Sequence, residues 1–437
     1  MMRSTALLAA AFCLAAPAAA QPGGRPSPAA AAVNAQQVVN EVRRVIAERY
    51  VLPERRPALD AVLAEGLSSG RYATDDPRLL AERINEDLTR VGRDRHLNFR
   101  YDPQAVGLFA GGGRQPDPAA YERQAQRRNY GIRELRVLPG NVRYMAYDGF
   151  DWTGDTSAAA LETAMRFLSG GDAVIIDLRR NGGGSPAAVQ YITNHFMAAG
   201  QPLMTFHMNG SETPDRTATL AEVPAGRMIG KPLYVLTSNM TASAAEEFAG
   251  HVAGYRLGQL VGETTAGAGF RNELAPIAGN FILSVSVGRA VLASTGRDWE
   301  AVGHAPNIAT PVPAALDAAH AAALRQLAET ATGSDRDRML VLADTVAARG
   351  EGRAPALSLA AYAGAFGERS IMVDGDRLYY QRGQRPRELL IPLGANRFAL
   401  DNNPLLQVEF AADGSRATAF TITPIGDAPQ GTYQRTQ

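Results

Sequence analysis

The sequence predicts a mixed α/β protein with a helical N-terminal part and a separate antiparallel β domain at its C-terminus. Three observations carry this. Two apolar runs, AVIIDL (Ala173–Leu178) and LYVL (Leu233–Leu236), each lead through small residues toward helix-forming sequence, as strands buried on both faces of a sheet do. Ahead of them, apolar residues recur at helical spacing. Beyond Tyr362 the pattern changes to short alternating runs around the Asp-Gly turns at Asp374-Gly375 and Asp413-Gly414.

Taken in order, MMRSTALLAAAFCLAAPAAAQ gives a basic start at Arg3, an apolar run from Ala6 to Ala16 and an Ala-Ala-Ala site ending at Ala20. Residues 1–20 read as a cleaved signal peptide and residues 21–32, rich in Pro, Gly and Ala, as a flexible leader, so the expected location is periplasmic or secreted. The one cysteine, Cys13, lies inside the signal behind Phe12, which does not suit a lipoprotein site. The mature chain is then thiol-free, excluding cysteine nucleophiles and zinc–cysteine or iron–sulfur ligation. Lys+Arg and Asp+Glu are equal at 44 each, which argues against nucleic-acid or anionic-membrane partners, and no later run has the length of a membrane helix.

Val38, Val42 and Val45, then Leu59, Val62 and Leu63, then Leu79, Leu80, Ile84 and Leu88 predict an N-terminal helical domain over residues 33–130. In GRDRHLNFRYD, Leu97, Phe99 and Tyr101 alternate with polar residues, a strand opened by His96. The polar interval from Gln104 to Asn129 is too short for a further domain. Strands at 133–137 and 142–147, a helix through 158–167 and the two apolar runs make up a catalytic α/β domain, residues 131–313. Alanine-rich sequence from Ala314 predicts a helical connector over 314–350, and residues 358–437 form the C-terminal β domain.

The stretch SNMTASAAEEFAGHV sets Ser243 among small residues just before a helix. A serine nucleophile needs a base and donors for the oxyanion; unpaired amides at a helix N-terminus supply the second requirement. The competing reading is a capping box, Ser243-Ala-Ala-Glu246, and this window alone favours the cap. A second feature alters the balance: AVIIDL runs into RRNGGGSP, whose glycines let backbone amides converge on an anion. Gly183, Gly184 and the amide of Ala244 are the candidate oxyanion donors. The match of Gly182–Ala187 to GxGxxA is a weak dinucleotide signal, since Arg179-Arg180-Asn181 separates strand from glycines and no acid closes a following strand. There is no GxxxxGK loop.

IIDLRRNGGGS, LTSNMTASAAEEFAG, VGETTAG and WEAVGHAPNI, in that order, resemble the tail-specific or C-terminal processing serine peptidases, whose relatives include the tricorn core, the nisin-resistance proteins and the interphotoreceptor retinoid-binding protein. The resemblance covers about residues 31–312. It implies a fold of the ClpP/crotonase type with Ser243 as nucleophile. The lysine base of the processing peptidases is absent, its place reading Ala266-Gly267-Ala268-Gly269, and Lys231, the only lysine, lies elsewhere. In the histidine-using branch the base is carried on the segment after the N-terminal helices, which makes it His96, oriented by Glu300 of DWEAVG; Asp94 is an alternative orienter. His251 is expected along the helix, and His304 could line the cleft. His195, His207 and His320 carry no motif. Asp177 is expected to hold the glycine loop.

The expectation is a secreted serine peptidase acting on peptide or protein substrates through an acyl-enzyme, with Ser243, His96 and Glu300 as its triad, no metal or organic cofactor and no PDZ domain. A non-catalytic binder of an apolar ligand or peptide, and an esterase or amidase using the same triad, are the competing expectations.

Overall fold

The computed structural model describes residues 34–107, 109, 117–424 and 429–436. The expected signal peptide and leader, residues 1–32, lie wholly outside the described residues. Three helices begin the chain: α1 (Ala35–Arg49), capped by Asn34, α2 (Arg56–Ser68) and α3 (Pro77–Gly92), capped by Asp76 with Pro77 at its first position. Helix α3 stops at Arg93, which takes a left-handed conformation and turns the chain into β1 (Asn98–Tyr101). The interval expected as polar loop contains two further helices, α4 (Pro103–Gly107) and α5 (Pro118–Arg127); α5 buries only Tyr121 and Ala125, too sparse an apolar stripe to read in advance.

Next come β2 (Ile132–Leu138), β3 (Val142–Tyr147), α6 (Asp155–Ser169), β4 (Ala173–Asp177), α7 (Pro186–Thr193), β5 (Pro202–Met208), β6 (Asp215–Ala218), β7 (Leu233–Thr237), α8 (Ala244–Gly254), β8 (Gln259–Gly262), β9 (Phe270–Ile277), β10 (Phe281–Leu292) and β11 (Ile308–Ala309). Strands β11-β8-β7-β4-β3-β2 form one sheet, parallel except where β2 pairs with β3. The two-residue period of its strands sorts the side chains. Val174, Ile176, Leu233 and Val235 pack beneath α6, α7 and α8, while Ala173, Ile175, Tyr234 and Leu236 pack against α9 (Ala315–Thr330) and α10 (Gly333–Glu351) on the other face. Both faces are covered, which is why AVII (Ala173–Ile176) and LYVL carry no charged residue.

In the second sheet, β10 pairs with β9 along one edge and in succession with β1 and β5 along the other, with β6 beyond β5. The N-terminal helices share one core with this sheet: Val42, Leu63, Ile84 and Leu88 lie with Phe281, Leu283 and Val285. The N-terminal helices thus pack as a layer on the sheet that β10 centres.

After the short α11 (Leu359–Tyr362), eight strands from β12 (Gly364–Phe366) to β19 (Gly431–Gln434) pair in sequence order as an antiparallel meander. Its ends meet: Thr436 N–H donates to the Ala365 carbonyl, and the Arg435 guanidinium donates to the Ala361 and Ala363 carbonyls, so an exposed edge is removed. Ala348 of α10 packs with Leu393 and Ala399, tying this sheet to the α9–α10 pair.

Candidate active site

Ser243 lies between β7 and α8, on a loop fixed to the loop that follows β4. Thr241 Oγ1 donates to the Leu178 carbonyl at 2.8 Å, Ser238 Oγ to the Arg179 carbonyl at 2.7 Å, and Ala242 N–H to the Asn181 carbonyl at 3.1 Å. The backbone at Ser243 has φ 55° and ψ −122°. A helix-capping residue takes extended angles, so this geometry is not that of an ordinary cap. A non-glycine residue held there costs on the order of 1–3 kcal/mol, which the surrounding bonds must offset.

Much of that restraint comes from Glu246, fully buried in the first turn of α8. Its carboxylate accepts from Ser243 N–H at 3.0 Å, Thr265 Oγ1 at 2.6 Å, and the Gly267 and Ala268 amides, both at 2.7 Å. Burial raises its pKa against the pull of these donors. The sequence signals Glu246 as half of a capping box; its second task, holding the Ala266–Gly269 loop against the serine turn, has no local signature.

The glycine loop is organised by Asn181. Its Nδ2 donates to the Tyr147 carbonyl at 2.8 Å and its Oδ1 accepts from Gly183 N–H at 2.9 Å. The Gly183 amide is therefore already engaged, contrary to its expected availability as an oxyanion donor. What Gly183 provides is closeness: with φ 111°, a Cβ there would stand 2.7 Å from Ser243 Cβ and 3.1 Å from Ala244 N. Among the described residues, the Gly184 and Ala244 amides meet no acceptor. Asp177 accepts from Tyr144 Oη at 2.7 Å and clamps Arg179, so it anchors the start of the loop rather than the glycines. Asn181 was missed in the sequence, where it read only as a break between strand and glycines.

His96 and Asp94 stand between α3 and β1, and Glu300 follows β10. The three bring one ligand atom each to within 4.8 Å of one another. Asp94 and His96 are 4% and 7% exposed. Asp94 Oδ1 accepts from the His96 and Leu97 amides at 2.8 and 3.2 Å, shaping the turn that presents the imidazole. Glu300 Oε2 accepts from the Gly269 and Phe270 amides at 2.6 and 3.1 Å. That leaves Asp94 Oδ2, Glu300 Oε1 and His96 Nδ1 all buried without a hydrogen bond. Burial lowers the pKa of His96, with the charge of Asp94 opposing it, and raises that of Glu300 to about 7, with Asp94 adding to the shift. The spacing of this cluster would also suit a metal ion.

His96 and Ser243 line the same cleft, of about 1230 Å³, with Gly182, Ala268 and Ala301. Among the described residues, none of the C-terminal sheet contributes to it. The other candidates lie outside. His251, fully buried, has Nε2 3.7 Å from Glu247 one helical turn back. His304 stacks near Trp299 and sits against Gly250 behind α8, not in the cleft. His195 and His320 bond backbone carbonyls, and Lys231 Nζ donates to the carbonyls of Ser169 and Gly171. Where the processing peptidases carry lysine, buried Ala268 has no group to offer; Trp299 Nε1 donates to its carbonyl at 3.1 Å.

A strand–turn–helix with a strained serine, beside a glycine loop and on a cleft shared with a buried imidazole, is an α/β arrangement of the kind that serine hydrolases build on. Two family models give the particular assignment. Residues 141–310 match peptidase family S41, and residues 31–121 match the N-terminal domain that accompanies it in eukaryotic IRBP. Residues 141–310 thus form a region of the peptidase family S41 type, preceded by the N-terminal domain that accompanies it. Among solved structures, it is similar to an S41-type chain from Bacteroides fragilis at 24% identity and TM-score 0.38, over 43% of this chain and 53% of that one, so it spans about half of that relative's length. It is also similar to the photosystem II D1 C-terminal processing protease, at 17% identity and TM-score 0.38 over 64% of this chain and 94% of that one. A third likeness is to a lipoprotein from Streptococcus agalactiae, at 15% identity and TM-score 0.44 over 67% and 96%.

Proposed function

We propose that this protein is a secreted serine peptidase in which Ser243 is the nucleophile, His96 the general base and Glu300 the acid that orients the imidazole. The reading rests above all on the Ser243 backbone, held at φ 55° beside unpartnered amides. Neither a helix cap nor a solvent-exposed turn calls for that strain.

In the proposed reaction, Ser243 Oγ bonds to the carbonyl carbon of the scissile peptide as His96 takes the hydroxyl proton. The negative charge that develops on the carbonyl oxygen is held by the Ala244 and Gly184 amides, with the positive end of α8 adding to the field. The C–N bond then breaks and His96 passes its proton to the leaving amine. Water attacks the acyl-enzyme, giving a proton to His96; the C–Oγ bond breaks and the proton returns to Ser243. Burial favours the neutral imidazole of His96, able to accept a proton, and the charge of Asp94 favours the imidazolium once it forms.

A fluorophosphonate probe tests this. Labelling at Ser243 is expected, abolished in Ser243→Ala, reduced about 10²-fold or more in His96→Ala, and unaffected by chelators. No labelling of the wild type would favour a binding protein on the same fold. Labelling that survives His96→Ala unchanged would remove His96 as base, and loss of labelling with EDTA would turn the Asp94, His96 and Glu300 cluster into a metal site. A labelled enzyme that cleaves esters but no peptide would be the esterase or amidase alternative.

A further inference from the structure

The cleft that holds Ser243 and His96 is charged unlike the rest of the chain. The whole sequence balances at 44 basic and 44 acidic residues, yet among the described residues the cleft is lined by five arginines, Arg93, Arg95, Arg100, Arg123 and Arg127, against two aspartates, Asp94 and Asp102. Asp94 is buried beside His96, and Asp102 is paired with Arg100 at 3.2 Å. The other four guanidiniums are exposed and, among the described residues, have no acidic partner.

These four come from two separate elements. Arg93 and Arg95 are on the turn that delivers His96; Arg123 and Arg127 stand four residues apart on α5, a like-charge spacing that by itself weakens a helix. Acids nearby do not relieve it. Glu122 accepts from Tyr130, Thr156 and Gln126, and Asp151 faces Arg128. The rest of the lining offers neutral hydrogen-bonding groups such as Asn98, Asn239 and Asn272.

Planar guanidiniums converging on a recessed surface match carboxylates, and a cleft walled by one sign of charge raises the local concentration of the opposite sign. We propose that the cleft selects peptide segments rich in Asp and Glu, with Arg123 and Arg127 as specificity-determining residues that set affinity without entering the chemistry. This rests on the reading of Ser243 as nucleophile for its consequence in catalysis, but the binding preference is measured independently of it.

The test uses the full-length Ser243→Ala protein and three fluorescent decapeptides of one Ala/Gly/Leu framework carrying four glutamates, four glutamines or four lysines, each with a free and an amidated C-terminus, followed by anisotropy. The glutamate peptide should bind about tenfold or more tightly than the glutamine peptide at low salt, with the gap closing as added salt shortens the screening length. Amidation should leave it unchanged. Arg123→Glu/Arg127→Glu should erase the preference, while Arg336→Glu/Arg338→Glu, the same charge change on an exposed face of α10, should not. Equal binding of the three peptides, no binding of any, or a preference that persists in Arg123→Glu/Arg127→Glu would overturn the proposal. So would loss of the preference on amidation, which assigns the arginines to a terminal carboxylate. Fluorophosphonate labelling of the wild type reports separately on Ser243, so either idea can fail while the other stands.

Discussion

At Ser243 two demands conflict, and the conflict is measurable. Ser243→Gly removes the side chain from a positive-φ position, so it should abolish probe labelling while raising the unfolding free energy by about 1 kcal/mol in urea titration, the strain being relieved. An unchanged or lower stability would mean the turn is not strained. Glu300 sets up a similar opposition. Its folded pKa, about 7, lies above its ordinary value of 4.5. Between these values the folded state binds more protons than the unfolded one, so the contribution of Glu300 to stability is fully present below about pH 4.5 and declines as pH rises through 7. Glu300→Gln can keep the acceptor for the Gly269 and Phe270 amides without the buried charge. It should therefore raise the Tm relative to wild type at pH 8 but not at pH 4.5, and lower kcat/KM. For His96 the direction is opposite: burial lowers its pKa, so the acid limb of kcat/KM should fall below the ordinary imidazole value near 6.5.

At the scale of elements, the site is a junction of loops, and two buried polar residues hold the junction. Glu246 joins the start of α8 to the Ala266–Gly269 loop, and Asn181 joins the glycine loop to β3 and to the serine turn. Glu246→Ala leaves several buried donors without an acceptor, each worth about 1–3 kcal/mol. Destabilisation of several kcal/mol is expected in denaturant titration, together with slower labelling. Gly183→Ala should be worse for activity than for stability: the new methyl group meets Ser243 Cβ itself, so labelling should be lost in a protein that still unfolds cooperatively. The glycines at 182–184 were legible as a loop at the end of a buried strand. That one of them, Gly183, holds its amide against Asn181, leaving Gly184 and Ala244 as the proposed oxyanion donors, follows from a side chain whose partners lie on other strands.

Across the whole molecule, the cleft lies between the sheet built around β10 and the sheet built around β4 and β7, with the antiparallel meander attached behind α10. Since the meander lends no residue to the cleft, a chain ending at Gly352 should label with fluorophosphonate at the wild-type rate. It should also melt at a lower temperature, because Ala348 loses its cover from Leu393 and Ala399. A large loss of labelling in a chain that still melts cooperatively would give the meander a part in catalysis. The centre of the second sheet, β10, is the longest strand of the chain, and its sequence FILSVSVGRAVL mixes alternation with continuous apolar runs. It went unremarked in the sequence, although it is the strand on which β1, and with it His96, is aligned.

What the sequence by itself determined was local or ordered along the chain: apolar strands that must be covered on both faces, helices announced by period and caps, Asp-Gly turns, and four motifs whose order identifies the family. Hydrophobic spacing and turn chemistry act over a few residues, so they leave a readable trace. Only the tertiary structure decided that the turn after α3 brings Asp94 and His96 to the cleft of Ser243, with Glu300 from the segment after β10 clustered beside them, and that His304 turns away from it. Those meetings depend on which strand edges pair and how the two sheets pack. The balance of burial against charge that tunes each carboxyl and imidazole exists only once distant parts of the chain exclude water from the same place.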